Sequence, residues 1–389
     1  MIGNQELVRK TNQRLILEII RREGLISRAD LSKTLLLSAP TISANIERLL
    51  KRNVLQEVGS GDSRGGRPPI LLKLNPEFGF VACVDLSSDR VRLALVDFTG
   101  GLLCQKSIPA VHLNGEEVLQ AAIYEIHLLI QSNSLDLKHL LIVSIATPGI
   151  LDKATQKLHL VPQFEGWEDF PIVELTEQAF SCTILIKNDI NTATLGEIHY
   201  GAGIGYQSLV YISVDTGVGA GIVLKGQLLE GVHGAAGEIG HMVHDPSSIR
   251  PRKRGLGNLE AAISVPMILR EATQWMRFAS DDYLSQLQEL SVQIENGNPG
   301  AETIMRKVAL TVGYTIVNLH AVLDLETVII GGAITTFGDL FLRIIRETVD
   351  ALVPSPLNIV YSGLEHQSVI KGAFVVAQDR VIENLVNEG

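Results

Sequence analysis

One pattern occurs twice in this chain and limits the folds it can adopt: a hydrophobic strand, a turn that carries aspartate, and a second strand. The first copy has strands at 80–85 and 91–97, with Asp85 at the turn. The second copy has strands at 209–215 and 220–224, with Asp215 at the turn. Strands and helices alternate around both copies. The repetition predicts a duplicated α/β domain with a cleft between two lobes, where the turns would flank a phosphate chain.

Charge is distributed unevenly and sets off the N-terminal part. Residues 1–76 hold 13 lysines and arginines against 7 acidic residues, a balance of +6, which leaves −16 for the rest of a chain with a net charge of −10. A basic head on an acidic body indicates a nucleic-acid-binding module joined to a domain with a different ligand.

Three short helices are predicted in this head. Apolar residues at helical spacing (Leu7, Leu15, Ile16, Ile19, Ile20) predict a first helix that ends at Gly24. Ser27 and Ser38 are placed to cap the second and third helices, which gives a helix-turn-helix. We expect the start of the third helix to face the major groove and the basic side chains to meet phosphates. The candidate DNA-binding residues are Arg28, Ala39, Thr41, Ser43, Asn45, Arg48, Arg64 and Arg67. Ala44 is also expected to face outward near the start of the third helix, and Lys51 and Arg52 to reach phosphates with Arg48.

Two strands after the third helix, at 54–58 and 70–74, predict a winged helix-turn-helix. The Gly-rich segment between them carries Arg64 and Arg67, which could enter a minor groove as basic arms do. The alternative is a small protein-binding helical domain followed by a loose linker.

The stretch 234–241 contains Glu238 and His241 among glycines and alanines. Small residues let the backbone come close to a ligand, and a carboxylate and an imidazole three positions apart can converge on hydroxyl groups. The alternative is a Gly-rich turn that carries two exposed polar residues.

These features together resemble the ROK family of repressors and sugar kinases. The motifs that carry the resemblance are Asn188-Asp189, Gly237-Glu-Ile-Gly-His241, Gly257-Asn-Leu-Glu260, Gly331-Gly332, Ser27-Arg-Ala-Asp-Leu31 and Gly66-Arg-Pro68. The resemblance covers nearly the whole chain. It implies an α/β, actin-like (hexokinase/ribonuclease H-like) two-lobed fold preceded by the winged helix, as in the xylose and N-acetylglucosamine repressors of the family.

The resemblance also implies a sugar site. The roles of the family's sugar-binding residues fall on Asn188, Asp189, Glu238, His241 and Glu260, and we add Gly149 to this set. Carboxylates and an amide suit a sugar because each of its hydroxyls can donate and accept a hydrogen bond. Two alternatives remain: Asp189 could cap the helix that follows it, and Glu260 could be a surface residue.

The first departure from the family pattern concerns the two turns that would bind phosphate. The first phosphate turn of the family is Asp-x-Gly-Gly-Thr, whereas this chain has Asp85-Leu-Ser-Ser-Asp89, and Asp215 stands where family kinases usually have glycine. Side chains and negative charge in such turns oppose phosphate binding, although Asp215 could instead hold magnesium. We therefore predict no enzyme activity and no cofactor, although Asp189 stands where the kinases keep their catalytic base.

The second departure concerns zinc. Three cysteine ligands of the family align with Pro251, Lys253 and Asn258, none of which suits a structural zinc site, so we predict no metal. The three cysteines of this chain, Cys83, Cys104 and Cys182, lie far apart in apolar runs and are expected to be free thiols.

The expected organisation is a DNA-binding head at 1–76, a first lobe at 77–190 completed by a C-terminal helix at 370–389, and a second lobe at 191–369. We expect a sugar-responsive transcriptional repressor that binds double-stranded operator DNA as a homodimer or homotetramer and responds to a sugar or sugar phosphate. No apolar run reaches the roughly eighteen residues of a membrane span, so we expect a cytoplasmic protein without membrane contacts. The alternatives are a sugar kinase that retains the head, and a regulator that senses a protein.

Overall fold

The computed structural model describes residues 2–60, 69–87, 90–110, 113–152, 154–159, 166–245 and 257–388. The N-terminal head combines three helices with a small antiparallel sheet in the order β1-β3-β2. Its elements are α1 (Ile2–Glu23), β1 (Ile26–Ser27), α2 (Arg28–Leu35), α3 (Ala39–Lys51), β2 (Leu55–Ser60) and β3 (Ile70–Leu74). The predicted winged helix-turn-helix is therefore present.

Local signals in the head explain its helix boundaries. The Ser27 hydroxyl accepts a hydrogen bond from Asp30 N at 3.1 Å, and the Ser38 hydroxyl accepts one from Thr41 N at 3.4 Å, so both serines cap as predicted. Leu36 makes the turn between α2 and α3 with a positive φ of 54°. Strand β1 was not predicted, because two residues are too short for a period-two pattern.

The first helix is present but buries fewer of its apolar residues than the spacing predicts. Ile16 and Ile20 are fully buried, whereas Leu7 is 64% and Leu15 39% exposed. The two exposed leucines are eight positions apart, which is two steps of four residues along the helix, and they lie on the outer side of α1.

The first lobe is built on a five-stranded sheet in the order β10-β7-β4-β5-β6. Its elements are β4 (Phe80–Leu86), β5 (Arg90–Asp97), β6 (Leu102–Pro109), α4 (Gly115–Ser132), β7 (Leu140–Thr147), the short hairpin β8 (Ile150–Leu151) and β9 (Leu158–His159), α5 (Ile172–Ala179) and β10 (Thr183–Asn188). Strands β4, β5 and β6 are antiparallel neighbours, while β7 and β10 pair in parallel.

The second lobe repeats this topology in a sheet with the order β13-β12-β11-β14-β15. Its elements are α6 (Asp189–Tyr200), β11 (Leu209–Val214), β12 (Val218–Leu224), β13 (Gln227–Leu228), α7 (Glu260–Ile263), α8 (Val265–Ala272), α9 (Tyr283–Glu295), α10 (Pro299–Leu323), β14 (Thr327–Gly331), α11 (Gly338–Leu352) and β15 (Asn358–Tyr361), and the chain continues from this lobe into α12 (Ser368–Asn387). Again an antiparallel meander is followed by two parallel strands. The duplicated α/β architecture predicted from the sequence is confirmed.

Helices α6 and α12 cross in close contact at two glycines. A Cβ atom on Gly196 would lie 2.1 Å from the Ser368 carbonyl oxygen, and one on Gly372 would lie 1.7 Å from that of Thr192. Such separations leave no room for a side chain, so glycine at both positions allows the two backbones to touch. Helix α12 also packs on β4 and β7, which places the last helix against the first lobe.

The head rests on the far end of the same helix α12. Arg21 of α1 pairs with Asp379, and the Arg52 guanidinium donates a hydrogen bond to the Leu385 carbonyl at 2.6 Å. Buried residues of the head and of α12, including Ile20 and Val381, form one apolar cluster. None of the helices in the described part of the chain is long and apolar enough to cross a membrane.

Candidate functional site

The first part of the predicted sugar site lies where β10 ends and α6 begins. Asn188 is the N-cap of α6: its Oδ1 accepts a hydrogen bond from Asn191 N at 3.0 Å, and its Nδ2 donates one to the Gly149 carbonyl at 3.2 Å. Gly149 has a φ of +88°, which favours glycine. Asp189 is the first helical residue, and its Oδ1 accepts from Ile190 N at 2.8 Å. The side-chain cap is thus supplied by Asn188 rather than by Asp189.

The second part, Glu238 to His241, follows a glycine whose backbone lies very close to strand β12. Gly237 has a φ of +93°, and a Cβ atom there would lie 1.8 Å from the Ala220 carbonyl oxygen of β12. The following residues form a single 3-10 turn, Ile239–His241. The Glu238 side chain is half-buried and that of His241 exposed, so the imidazole is open to a ligand or to solvent.

Glu260, the first residue of α7, completes the acidic set. Its side chain is only 8% exposed, so the surface position considered from the sequence is wrong. Its Oε1 atom is buried without a hydrogen-bond partner, and a Cβ atom on Gly240 would lie 3.1 Å from its Oε2. A buried carboxylate oxygen without a donor is costly, and a ligand hydroxyl would satisfy it.

The carboxylates of this cleft influence one another. Burial, with the nearby charge of Asp85, raises the pKa of Asp189 to about 7. Burial and the charge of Glu238 raise the pKa of Glu260 to about 7. Burial raises the pKa of Glu238, and His241 partly opposes this shift. These carboxyl groups are therefore close together and poorly solvated.

These shifts predict a stability that falls with rising pH. Between about pH 4 and 7 the folded protein retains protons on Asp189 and Glu260 that the unfolded chain releases, so the free energy of unfolding decreases as pH rises through this window. Replacing both residues, Asp189→Asn with Glu260→Gln, should remove the part of this slope that the two groups contribute. Between pH 5 and 7.5 the melting temperature of the native protein should fall by about 2 to 6 °C relative to the double variant.

Asp282→Asn is the control for this experiment. Hydrogen bonds from Ser285 lower the pKa of Asp282 from its ordinary value, so this carboxylate is ionised in both the folded and the unfolded protein across the range of the experiment. The Asp282 variant should melt with the same slope between pH 5 and 7.5 as the native protein. Parallel curves for the native protein and the Asp189/Glu260 double variant would contradict the assignment.

The carboxylates of both turn aspartates, Asp85 and Asp215, are hydrogen-bonded to other groups of the protein. The Asp85 carboxylate accepts hydrogen bonds from Arg92 at 3.0 Å and from the Ser87 hydroxyl at 3.2 Å. Asp215 accepts through Oδ1 from Thr216 N at 2.9 Å and through Oδ2 from Ala333 N at 3.1 Å. Asp89 lies outside the described residues. Arg92 was not singled out from the sequence, although a charged residue within an apolar strand was the available signal.

Among the described residues, no group of three or more histidine, cysteine, aspartate or glutamate side chains could hold a metal ion. Asn258 is described, whereas Pro251 and Lys253 lie outside the described ranges. Cys83 is buried and the other two cysteines are half-buried, and all three are free thiols. Burial raises the pKa of Cys182 to about 11, which makes it a weak nucleophile.

The predicted DNA-binding residues lie in three different environments. Ala39, Ala44 and Arg48 are exposed on α3, and Thr41 and Ser43 are half-buried. Arg28 is half-buried and pairs with Glu57 at 2.8 Å. Arg64 and Arg67 lie outside the described residues.

The predicted outward orientation of Asn45 is wrong. Asn45 is 4% exposed, and its Nδ2 donates to the Thr41 carbonyl at 2.8 Å. It lies three residues after Ile42 and beside Ile46, and therefore on the inner face of the helix.

Comparisons with known proteins agree with this architecture. The model of the ROK family matches residues 81–380, and a model of winged helix-turn-helix DNA-binding domains matches residues 9–56. A putative xylose repressor from Caldicellulosiruptor sp. (strain Rt8B.4) is 30% identical over 359 residues, which cover 90% of this chain and 89% of the relative.

Two solved structures show the same fold. A ROK family transcriptional regulator, described as a homologue of the E. coli MLC protein, has a TM-score of 0.81 at 24% identity and covers 98% of this chain and 100% of its own. A ROK hexokinase from Thermus thermophilus has a TM-score of 0.65 at 26% identity and covers 78% of this chain and 99% of its own. The regulator covers more of this chain than the hexokinase does, and the part that it adds includes the N-terminal head. With a family model that spans both lobes, the chain belongs to the ROK family.

Proposed function

We propose that this protein is a sugar-responsive DNA-binding transcriptional regulator, a repressor of carbohydrate-utilisation genes that leaves its operator when a sugar or sugar phosphate binds. The observation that carries this proposal is the presence, in one chain, of a winged helix-turn-helix head with an exposed face on α3 and of three neighbouring carboxyl groups, Asp189, Glu238 and Glu260, whose charges act on one another. The similarity to a protein named as a putative xylose repressor supports the sugar response.

A continuous route of packed helices supports coupling between the two sites. Asn188 and Asp189 begin α6, which crosses α12 at Gly196 and Gly372, and the C-terminal half of α12 carries the head. A change in the angle between the lobes would therefore change the position of α3. The ligand acts by binding one of two arrangements more tightly, and a tenfold preference corresponds to about 1.4 kcal/mol.

The proposed DNA complex is symmetric. A regulator of this type binds a roughly palindromic operator as a homodimer or a homotetramer, with one α3 helix in each half-site. Thr41, Ser43 and Arg48 would read or approach the DNA in each half, together with Ala39. The cytoplasm is the proposed place of action, because there the head can meet operator DNA.

The similarity to a hexokinase makes a sugar kinase the second candidate. Two features oppose it. Arg92 is paired with Asp85 in the first turn, and the Asp215 carboxylate accepts the Thr216 and Ala333 amide hydrogens that could otherwise face a phosphate.

We propose that the protein does not transfer phosphate. An ADP-release assay with a panel of sugars should show no turnover, and a rate above about 1 s⁻¹ on any sugar would contradict this.

A ligand screen and a DNA selection test the proposed function together. Neutral pentoses and hexoses and their phosphates are screened by thermal shift, because a ligand that binds the folded state raises its melting temperature. Operator sequences are selected from a random duplex library. We expect one sugar class to raise the melting temperature by a few degrees and to release the selected DNA. Tight DNA binding that no sugar weakens would instead favour a regulator that senses a protein.

A further inference from the structure

An ion pair joins the two lobes beside the proposed sugar site. The Lys187 Nζ lies 2.7 Å from Glu230 Oε1. Lys187 belongs to β10, the edge strand of the first sheet, and Glu230 follows β13, the edge strand of the second sheet. The pair therefore spans from one lobe to the other.

Both partners are directly connected to sugar-binding positions. Lys187 immediately precedes Asn188, the N-cap of α6. Glu230 begins a segment, residues 230–236, which we name the bridging loop and which leads through Gly237 into Glu238. The Glu230 carbonyl accepts a hydrogen bond from Ala236 N at 3.2 Å, so the two ends of the bridging loop are tied together.

The bridging loop also lies close to the first lobe at a second place. A Cβ atom on Gly234 would lie 3.3 Å from Cγ2 of Ile150 in strand β8. Gly231 and Gly234 have φ values of +75° and +72°, which allow the loop to turn twice within four residues. The loop of the second lobe thus passes close to Ile150 of the first lobe and is joined to the first lobe by the Lys187–Glu230 ion pair.

We infer that Lys187 and Glu230 are positioning residues for sugar binding: their ion pair holds the bridging loop against the first lobe and so fixes the separation between Asn188 and Glu238. This inference rests on the proposed function. Neither residue needs to touch the sugar. The pair stabilises the closed arrangement of the lobes, in which hydrogen-bonding groups from both sides can reach one ligand.

This ion pair is expected to contribute little to the stability of the fold and a modest amount to the affinity for the sugar. The two side chains are 43% and 35% exposed, so water and salt screen the attraction. Loss of such a pair typically changes an equilibrium two- to fivefold, and placing like charges opposite each other changes it further. We therefore expect about a tenfold effect from charge reversal at either position.

The experiment compares four variants by titration calorimetry with the neutral sugar that gives the largest thermal shift. Lys187→Glu and Glu230→Lys should each bind it about tenfold more weakly than the native protein, and the double exchange should return to within about twofold. Lys307→Glu is the matched control, because Lys307 forms an ion pair of the same length, 2.7 Å to Glu271, within the second lobe. Its affinity should stay within twofold of the native value. Single variants that bind normally, or a double exchange that does not recover, would overturn the inference.

The salt dependence of the sugar affinity distinguishes a positioning role of the ion pair from a role in fold stability alone. A neutral sugar has no charge to screen, so its affinity should depend little on ionic strength unless an ion pair controls closure. For the native protein we expect the affinity to fall about two- to threefold between 0.05 and 0.5 M salt, and for Lys187→Gln we expect no change. Equal salt dependence in both proteins would contradict the inference.

Hydrogen exchange tests the same ion pair without a sugar. In the ligand-free protein, amides of residues 229–237 should exchange faster in Lys187→Glu than in the native protein, and the double exchange should restore their protection. If no sugar bound the native protein, the proposed function would fail, and this measurement would still decide whether the pair holds the loop. Unchanged exchange in Lys187→Glu would show that it does not.

Discussion

Replacing Glu238 by alanine should lower the affinity for the sugar at least about a hundredfold and abolish release of the operator. A carboxylate can accept hydrogen bonds from two adjacent hydroxyls, and each charge-assisted bond contributes about 1.5–3 kcal/mol. Two such bonds account for a hundredfold loss or more. The measurements are calorimetric sugar binding and sugar-induced release of DNA.

Folding should survive this substitution. Burial raises the pKa of Glu238, which means that the ionised carboxylate is less stable in the folded protein than in water. The alanine variant should therefore melt at the native temperature or above it, and its operator affinity should be unchanged. Glu295→Ala, which removes an exposed carboxylate from α9, is the control and should bind sugar normally. Normal release of DNA in the Glu238 variant would contradict the site and favour a sensor of protein partners.

Much of the fold could be predicted because its signals are local or repeated. The caps at Ser27 and Ser38 involve atoms three residues apart, and the duplicated strand pattern is a matter of hydrophobic periodicity. The contacts of α12, by contrast, join residues that are far apart in the sequence. Gly372 touches Thr192, and Arg52 reaches Leu385, across separations in sequence for which no local pattern exists.

The candidate site shows the same division. Glu238 and Glu260 could be named from motifs, but the burial that raises the pKa of Glu260 to about 7 depends on how the chain folds around it. Asn45 illustrates the limit of helical spacing, because a shift of one position around α3 decides whether a polar side chain meets DNA or is buried. Lys187 and Glu230 are ordinary surface residues in the sequence, and their pairing depends on the approach of the two lobes.

Replacing Ala44 by glutamate should abolish operator binding, with a loss of at least about a hundredfold at 0.15 M salt, and leave sugar binding intact. Ala44 is exposed in the first half of α3, the part of a recognition helix that lies deepest in the major groove. A carboxylate there faces the negative potential of the DNA and needs space that the groove does not offer. Glutamate is a good helix former, so α3 itself should persist.

The control for this prediction is the same substitution on another helix. Ala321 is exposed on α10, and Ala321→Glu changes the net charge of the protein by the same amount without altering the head. Gel-shift titrations with the selected operator should give native affinity for Ala321→Glu and no specific complex for Ala44→Glu. If both variants lost affinity equally, overall charge would explain the result, and if Ala44→Glu bound within threefold of the native protein, α3 would not be the helix in the groove. Together with Glu238→Ala, which should lose sugar and keep DNA, this variant separates the two binding functions, because each substitution removes one ligand and preserves the other.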